Sequence, residues 1–311
     1  MLNETQKNDS SEIQKEMEVC NSFFVFVKKL FCNETNTHKQ LDLQAVTEMI
    51  KLILKSVRNN HCNLMLALHK TGLIDENYIY SHTVRTAILS LLIGNDLRLP
   101  NHKLIELGVA ALLHDIGMFS IPKELYLNSR ALSEDELKII HNHPIHSYKL
   151  LDSHNLSPAV KLAALEHHER EDGTGYPRKL TGEKISQYGK IIAVACSFDA
   201  ISSKRAYKDS VDSHTGLINI LKSKTKYNSV AVQALVNSLS IYPIGLYVLL
   251  SNEKQAQVVD VDPFDPRFPV VQLIGENSPD NVNIFQHTFQ EGLFIVRPLE
   301  KDEIKEIEQI Q

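Results

Sequence analysis

The central part of this chain, residues 76–240, is a series of apolar segments with helical periodicity, separated by turn signals. The segment 83–93 (TVRTAILSLLI) is apolar almost all round, which predicts a helix buried on every face. The segments 106–117 (ELGVAALLHDIG), 156–169 (LSPAVKLAALEHHE) and 189–203 (GKIIAVACSFDAISS) are also helical and largely apolar. Such helices must pack against one another, so we expect a mainly α fold with an all-helical central domain.

Histidines are concentrated in this part of the chain: nine of the 14 fall between positions 82 and 168. Five of them, with one aspartate, lie where the pattern points into the protein: His82, His114, Asp115, His143, His167 and His168. Burying these groups without partners is costly, whereas divalent metals accept neutral imidazole and carboxylate as ligands. Each histidine alone is more often a core or solvated residue, but the set predicts a metal site.

Two local expectations accompany this set. We expect Gly117 to end the helix whose last turn carries His114 and Asp115. The remaining histidines of the helical turns, at positions 141, 146 and 154, are expected at the surface.

Composition divides the chain into four parts. Residues 1–10 are polar without periodicity, so we expect them to be disordered. Residues 11–75 are helical in pattern and predict an accessory or dimerisation element, with plain structural packing equally compatible. Residues 76–240 form the central domain. In residues 241–311, six of the 11 prolines accompany short β-type runs, which predicts a small β-rich module that ends in a short helix.

The overall charge and the N-terminus limit the class of protein. A net charge of −5 argues against bulk nucleic acid as a partner. The N-terminus is too polar for a signal peptide, and the apolar run 23–31 is too short to cross a membrane. The four cysteines show no CxxC spacing, which favours reduced thiols and a cytoplasmic location.

Taken together, five motifs resemble the HD-GYP branch of the HD phosphohydrolase superfamily, over roughly residues 76–240. They are HTVRTA (82–87), LLHDIGMFSIPKELY (112–126), HNHPIHSYKLL (141–151), EHHEREDGTGYPRKLTGEKIS (166–186) and KIIAVACSFDAISSKRAYK (190–208). Their order and spacing are highly specific for the fold. The resemblance implies a helical domain that hydrolyses cyclic di-GMP to pGpG or GMP, and the C-terminal β region is similar to an appendage that often follows such domains.

The resemblance also implies a binuclear metal centre in which Asp115 bridges the two ions. The ligands would be His82, His114 and Asp115 for one ion, and Asp115, His143, His167 and His168 for the other. Two divalent ions, iron or manganese in this family, would generate a bridging hydroxide and stabilise charge on the phosphoryl oxygens. His114 and Asp115 are therefore the expected catalytic residues. A third metal in some members needs a glutamate where this chain has Tyr78.

Substrate contacts are implied at two places. The GYP loop, Gly175, Tyr176 and Pro177, would lie at the pocket rim, where glycine permits close backbone approach and tyrosine can stack on a purine. Arg205 and Lys208 match basic residues that contact substrate phosphates. The implied partners are cyclic di-GMP, a diguanylate cyclase or other signalling protein at the GYP loop, and a second copy in a homodimer.

Three positions depart from the family pattern. Cys196 stands where the family has a metal-ligating aspartate, so that metal either keeps a thiolate ligand or is weakly bound. Met118 replaces a lysine that can pair with a substrate phosphate, and Lys190 replaces an arginine. We expect Asp199 to support the site without being a ligand.

These features define three hypotheses. The leading one is a metal-dependent cyclic di-GMP phosphodiesterase. The alternative is a catalytically impaired HD-GYP domain that acts as a cyclic-dinucleotide receptor or protein-interaction module, which Cys196 and Met118 favour. A third, an HD enzyme for another nucleotide, is disfavoured by the intact GTGYP motif at 173–177.

Overall fold

A computed structural model describes residues 2–34, 41–59, 61–71, 77–127, 130–203, 213–239, 242, 244–260, 268–277, 283–288 and 291–310. The helices of the first half are α1 Leu2–Glu34, α2 Leu43–Asn59, α3 His61–Lys70, α4 Tyr78–Asp96, α5 Asn101–Leu113, α6 Lys123–Tyr126, α7 Glu134–Ile140 and α8 His143–Asp152. They are followed by α9 Pro158–Glu166, α10 Gln187–Ser202, α11 Ser213–Lys222, α12 Ser229–Leu239 and, at the C-terminus, α13 Lys301–Ile310. The prediction of a mainly α fold is confirmed.

Helix α4 is the centre of the helical part. It packs against α1, α2, α5, α10 and α12, and its side chains are buried around the whole circumference, as its uniformly apolar sequence predicts. One continuous apolar core joins these helices, and it includes Phe23, Val27 and Phe31 of α1. The N-terminal helices therefore share the core of the helices that carry the predicted metal ligands.

The start of the chain differs from expectation. Residues 2–10 are the beginning of α1, although their polarity predicted disorder. Five of the nine residues, Asn3, Thr5, Asn8, Asp9 and Ser10, are poor helix formers, so the helix here is the continuation of later turns that are held in the core.

Gly117 does not end a helix as predicted. Helix α5 ends earlier, at Leu113, and Gly117 lies in a 3-10 turn, Ile116–Ser120, that packs against α8. A Cβ atom at this glycine would meet the carbonyl oxygen of His143 at 2.2 Å and the amide nitrogen of Ser147 at 2.4 Å. The glycine is thus required by the close approach of two backbones, which sequence reasoning could not see.

The C-terminal strands form a separate antiparallel sheet. The strands are β1 Tyr247–Leu250, β2 Gln255–Asp260, β3 Val270–Asn277, β4 Asn283–His287 and β5 Ile295–Pro298, in the order β4-β3-β2-β1-β5. Residues Val248 and Ala256 pair across β1 and β2, and Val258 and Val271 across β2 and β3, and all four side chains are buried in a small core of their own. Strand β4 was not among the runs singled out from the sequence, whereas the final helix α13 was expected.

None of the helices in the described residues is both long and apolar enough to cross a membrane.

Candidate metal centre

The structure brings six predicted ligands and Cys196 together between α4, α5, α8, α9 and α10. They form two groups, Asp115, His143, His167 and His168 in one, and His82, His114 and Cys196 in the other, and within each group the potential ligand atoms lie within 4.8 Å of one another. All are buried except His168, which is half-buried. Residues up to 114 positions apart in the sequence thus converge on one small space.

Asp115 lies between the two groups, and each of its carboxylate oxygens faces one of them. Oδ1 lies 3.1 Å from Nε2 of His143 and 3.3 Å from Nε2 of His167. Oδ2 lies 3.3 Å from Nε2 of His114 and 3.7 Å from Nε2 of His82. This is the arrangement that a carboxylate bridging two ions requires.

Three of the imidazoles are oriented by backbone carbonyl groups close to them in the sequence. Each Nδ1 faces the carbonyl oxygen three residues earlier: His114 that of Ala111 at 2.7 Å, His143 that of Ile140 at 2.7 Å, and His167 that of Ala164 at 2.9 Å. Because a carbonyl can only accept, Nδ1 donates this hydrogen bond, and the opposite nitrogen, Nε2, faces Asp115. Each of these histidines lies at or next to a helix end, where its Nδ1 can reach the carbonyl oxygen three residues earlier.

His82, in the second turn of α4, is oriented by a side chain instead. Its Nδ1 lies 2.6 Å from Oδ2 of Asp199, and the same carboxylate accepts hydrogen bonds from Nε of Arg85 at 2.5 Å and from Oγ of Ser203 at 2.7 Å. Burial raises the pKa of the Asp199 carboxyl, but Arg85 and His82 lower it more, to well below its ordinary value. Asp199 therefore holds a ligand in place and is not itself in either group, as expected.

Cys196 joins the group of His82 and His114 from the adjacent helix α10. Its Sγ lies 3.5 Å from Nε2 of His82, and the residue is 3% exposed. Burial raises the pKa of this thiol, but the two neighbouring imidazoles lower it more, to about 6. The side chain is thus available as a thiolate.

The donor atoms fit divalent metal ions. His114 Nε2 and Asp115 Oδ1 are buried beside other potential ligand atoms but without a partner in hydrogen-bonding geometry, a costly situation that a metal ion would relieve. Burial lowers the pKa of His167 to about 3 and that of His168 well below its ordinary value, so both imidazoles are neutral and can act as ligands. We conclude that this His/Asp cluster can bind metal.

A cavity of about 370 Å³ opens from the metal centre. Its floor includes Asp115 and Cys196, and its walls are mostly apolar, with Met118, Leu125, Tyr126, Leu132, Leu137 and Ile140 among the lining residues. Among its described lining residues, Arg130 is the one lysine or arginine, and the Glu136 carboxylate holds this guanidinium. Met118 is buried in an apolar cluster with Ile79, Ile121 and Tyr126, so no cation stands where the family has lysine.

The GYP loop closes one side of this cavity through Tyr176. The phenol ring is stacked by His141 at a centroid distance of 4.1 Å and by His168 at 4.7 Å. The expectation that His141 is merely a surface residue is therefore incomplete, because it is exposed yet covers the tyrosine. A purine that stacks on Tyr176 must share or replace these contacts.

Gly175 packs closely on the backbone of its own loop, and its predicted approach to a ligand stays a prediction. A Cβ atom there would meet the amide nitrogen of Arg170 at 2.4 Å and the Cα of Glu169 at 2.5 Å, so the loop packs on its own backbone at this point. Pro177 follows Tyr176 through a cis peptide bond. Arg205 and Lys208, the predicted phosphate contacts, lie outside the described residues.

Two buried glutamates next to the histidine pair were missed by sequence reasoning. Glu169 accepts hydrogen bonds from the amides of Arg178 at 2.7 Å and Leu180 at 2.8 Å. Glu166 accepts one from the amide of Ser186 at 2.7 Å and pairs with the Arg178 guanidinium. These contacts anchor the segment after the GYP loop. The sequence signal that could have indicated the two glutamates is that they flank two predicted ligands at the end of a buried helix.

The chain is similar to known proteins over much of its length. The family model described as HD domain matches residues 61–228. The chain is 38% identical over 206 residues to the cyclic di-GMP phosphodiesterase PdeB of Borreliella burgdorferi, covering 66% of this chain and 54% of that protein. It is 30% identical over 250 residues to a cyclic di-GMP phosphodiesterase of Pseudomonas aeruginosa, covering 80% of this chain and 60% of that protein. The chain thus spans little more than half the length of these curated relatives.

A solved structure of an HDG"Y"P protein from Bdellovibrio bacteriovorus has a similar fold. It aligns with a TM-score of 0.57 at 20% identity and covers 74% of this chain and 76% of that one. At this identity the likeness supports the fold alone.

Proposed function

Because the chain belongs to the HD domain family, we propose that it is a metal-dependent phosphodiesterase that hydrolyses cyclic di-GMP to pGpG or GMP. The resemblance to the HD-GYP branch is confirmed, and curated relatives of the chain carry this activity in their names. The observation that supports the proposal most is the position of Asp115, whose two oxygens face two separate groups of ligand atoms. A cluster of histidines that served only to pack the core would not require the ligand atoms to be divided into two groups around one carboxylate.

In this proposal the two groups hold two divalent ions, with iron or manganese in the group of Asp115, His143, His167 and His168. When bound, the ions supply an activated water and stabilise the charge that develops on the phosphoryl oxygens. The protein's own contribution is preorganisation, since the carbonyl-anchored imidazoles keep each Nε2 directed at the centre without reorganisation during the reaction.

The apolar cavity beside the centre receives the dinucleotide in this proposal. Its walls exclude water from the reacting phosphodiester and offer surface to a guanine base. Tyr176 and Arg130 are among the lining residues able to stack on a base, and Arg130 also offers charge to a phosphate. The contributions of Gly175, Pro177, Arg205 and Lys208 to substrate binding stay predictions from the family pattern.

The receptor alternative receives less support. It was based on Met118 and on the loss of an aspartate at Cys196, but the Cys196 thiol lies within ligand distance of His82 and His114. With cysteine in place of aspartate, that group therefore still has a third donor atom, the sulfur. A signalling partner at the GYP loop, a homodimer and a cytoplasmic location also stay predictions.

The test combines metal content with turnover. The protein is purified without oxygen, its metals are counted, and cyclic di-GMP hydrolysis is followed by separating the products. We expect turnover, and we expect Asp115→Asn and His114→Ala to lose both metal and activity. His146→Ala is the matched control, because this half-buried histidine on α8 is in neither group.

Two outcomes would refute the proposal. A fully metal-loaded protein that binds cyclic di-GMP without hydrolysing it would establish the receptor alternative. Unchanged metal content in Asp115→Asn would show that the ions, if bound, are held elsewhere.

A further inference from the structure

The two groups at the proposed centre differ in their donor atoms. One offers three imidazole nitrogens and a carboxylate oxygen, whereas the other offers two imidazole nitrogens and the Cys196 sulfur, with Oδ2 of Asp115 facing it. We propose that His82, His114 and Cys196 form a thiolate metal site that takes zinc or iron(II) in preference to manganese, so that the two halves of the centre are chemically unequal. This inference rests on the proposed binuclear centre and specifies its metals.

The geometry supports a ligand role for Cys196 over ordinary core packing. Its Sγ lies 3.5 Å from Nε2 of His82, and Nε2 of His114, buried without a hydrogen-bond partner, belongs to the same group. Cys20, also fully buried, shows the contrast, because it lies in the apolar core beside residues such as Phe23. A cysteine that only fills space has surroundings like those of Cys20.

The number of donors suits a small tetrahedral site. Oδ2 of Asp115 lies 3.3 Å from Nε2 of His114 and 3.7 Å from Nε2 of His82, so it can complete a set of two nitrogens, one sulfur and one oxygen. Mixed cysteine and histidine sets of this size are typical of zinc sites. The metal itself deprotonates a coordinating thiol, so the site does not depend on the thiol being ionised beforehand.

Ligand softness separates the two halves. Thiolate ligands favour zinc and iron, whereas manganese favours oxygen donors and binds most weakly of the common divalent first-row ions. The group of Asp115, His143, His167 and His168 has no sulfur, so the softness of its ligands does not exclude manganese. Manganese alone should therefore fill one half of the centre, whereas zinc, iron(II) or cobalt(II) should fill both.

Cobalt(II) is the probe, because thiolate coordination adds a charge-transfer absorption in the near ultraviolet that imidazole and carboxylate do not produce. The metal-free full-length protein is titrated with cobalt(II), and we expect this band in the wild type and in Cys62→Ser, a control at a half-buried cysteine outside the site. The band should be absent from Cys196→Ser and from Cys196→Asp. Titration with manganese should give about one tightly bound ion per chain in the wild type and about two in Cys196→Asp.

A band that persists in Cys196→Ser, or no band in the wild type, would overturn the thiolate site. Equal manganese uptake by the wild type and by Cys196→Asp would overturn the proposed preference. Hydrolysis is scored separately: the band without turnover would refute the proposed activity and leave the thiolate site standing, and turnover without the band would do the reverse. The two replacements differ in size and charge, so misfolding of one still leaves the other as a test.

Discussion

The carboxylate of Asp199 lies 2.6 Å from Nδ1 of His82, and this contact directs the opposite nitrogen of the ring toward Asp115. The two residues are 117 positions apart and come from α4 and α10. Both are buried, so water cannot take over the contact if the carboxylate is lost. His82 therefore differs from the buried imidazoles of His114, His143 and His167, each of which is oriented by the backbone carbonyl three residues earlier.

Replacing Asp199 with asparagine should weaken metal binding at the group that contains His82. The amide can present its NH₂ group to the ring and favour the wrong tautomer, and loss of such a supporting partner typically costs about 10–100-fold in metal affinity. Competition with a chelator measures this change. Ser203→Ala is the control, because it removes a 2.7 Å hydrogen bond to the same carboxylate without touching His82. Equal losses in both variants would mean that the carboxylate acts through general stability.

Replacing Gly117 with alanine should destabilise the fold and reduce metal content together. The new methyl group would overlap the backbone of His143 and Ser147, and relief of such overpacking costs about 1–3 kcal/mol. Because His143 is displaced with that backbone, metal per folded chain should also fall. Thermal unfolding and metal analysis give the two readouts.

Gly216 provides the control for that experiment. It lies in α11, and the nearest neighbouring side-chain atom would be 3.5 Å from a Cβ atom added there, which is an ordinary van der Waals contact. Alanine at this position should therefore be neutral or stabilise by about 0.5–1 kcal/mol. A similar loss of stability at both glycines would contradict the backbone-contact explanation.

Replacing Glu169 with glutamine should impair substrate binding while leaving the metals in place. One carboxylate oxygen becomes an NH₂ group, so one of the two part-buried backbone N–H groups, those of Arg178 and Leu180, loses its acceptor at a cost of about 1–3 kcal/mol. The loop that carries Tyr176 should loosen, and the KM for cyclic di-GMP should rise. Glu183→Gln, an exposed glutamate in the same loop region, is expected to behave like the wild type. Loss of metal in Glu169→Gln would instead assign the residue to the metal centre.

Replacing Met118 with lysine should lower the KM for cyclic di-GMP and lower the thermal stability of the free protein. The ammonium would stand at the cavity wall, able to pair with a phosphate, but in the absence of substrate it would be buried beside Ile79 and Ile121 without a partner. Met118→Leu keeps the apolar surroundings and is the control. A lower KM in the leucine variant as well would attribute the effect to packing and not to charge.

Much of the helical fold could be predicted from local patterns. Uniform apolarity predicted that α4 is buried all round, and the helical pattern of residues 156–169 predicted α9, at whose start the Ser157 side chain accepts from the amide of Val160. Strand β4 escaped prediction, since its segment NIFQH mixes polar and apolar residues without the signals of its neighbours. The end of α5 was also predicted wrongly, because Gly117, which was expected to end the helix, is instead required for the close contact with α8.

For the site, the sequence by itself determined which residues are candidates, because histidines within or at the ends of largely apolar helices must lie in the interior of the protein. Only the tertiary structure decided how they are divided. The two oxygens of Asp115 separate the ligands into two groups, and Cys196 lies in the group that also contains His82 and His114. Sequence spacing cannot supply this information, since it depends on the relative rotation and depth of α4, α5 and α10, which packing of their side chains sets.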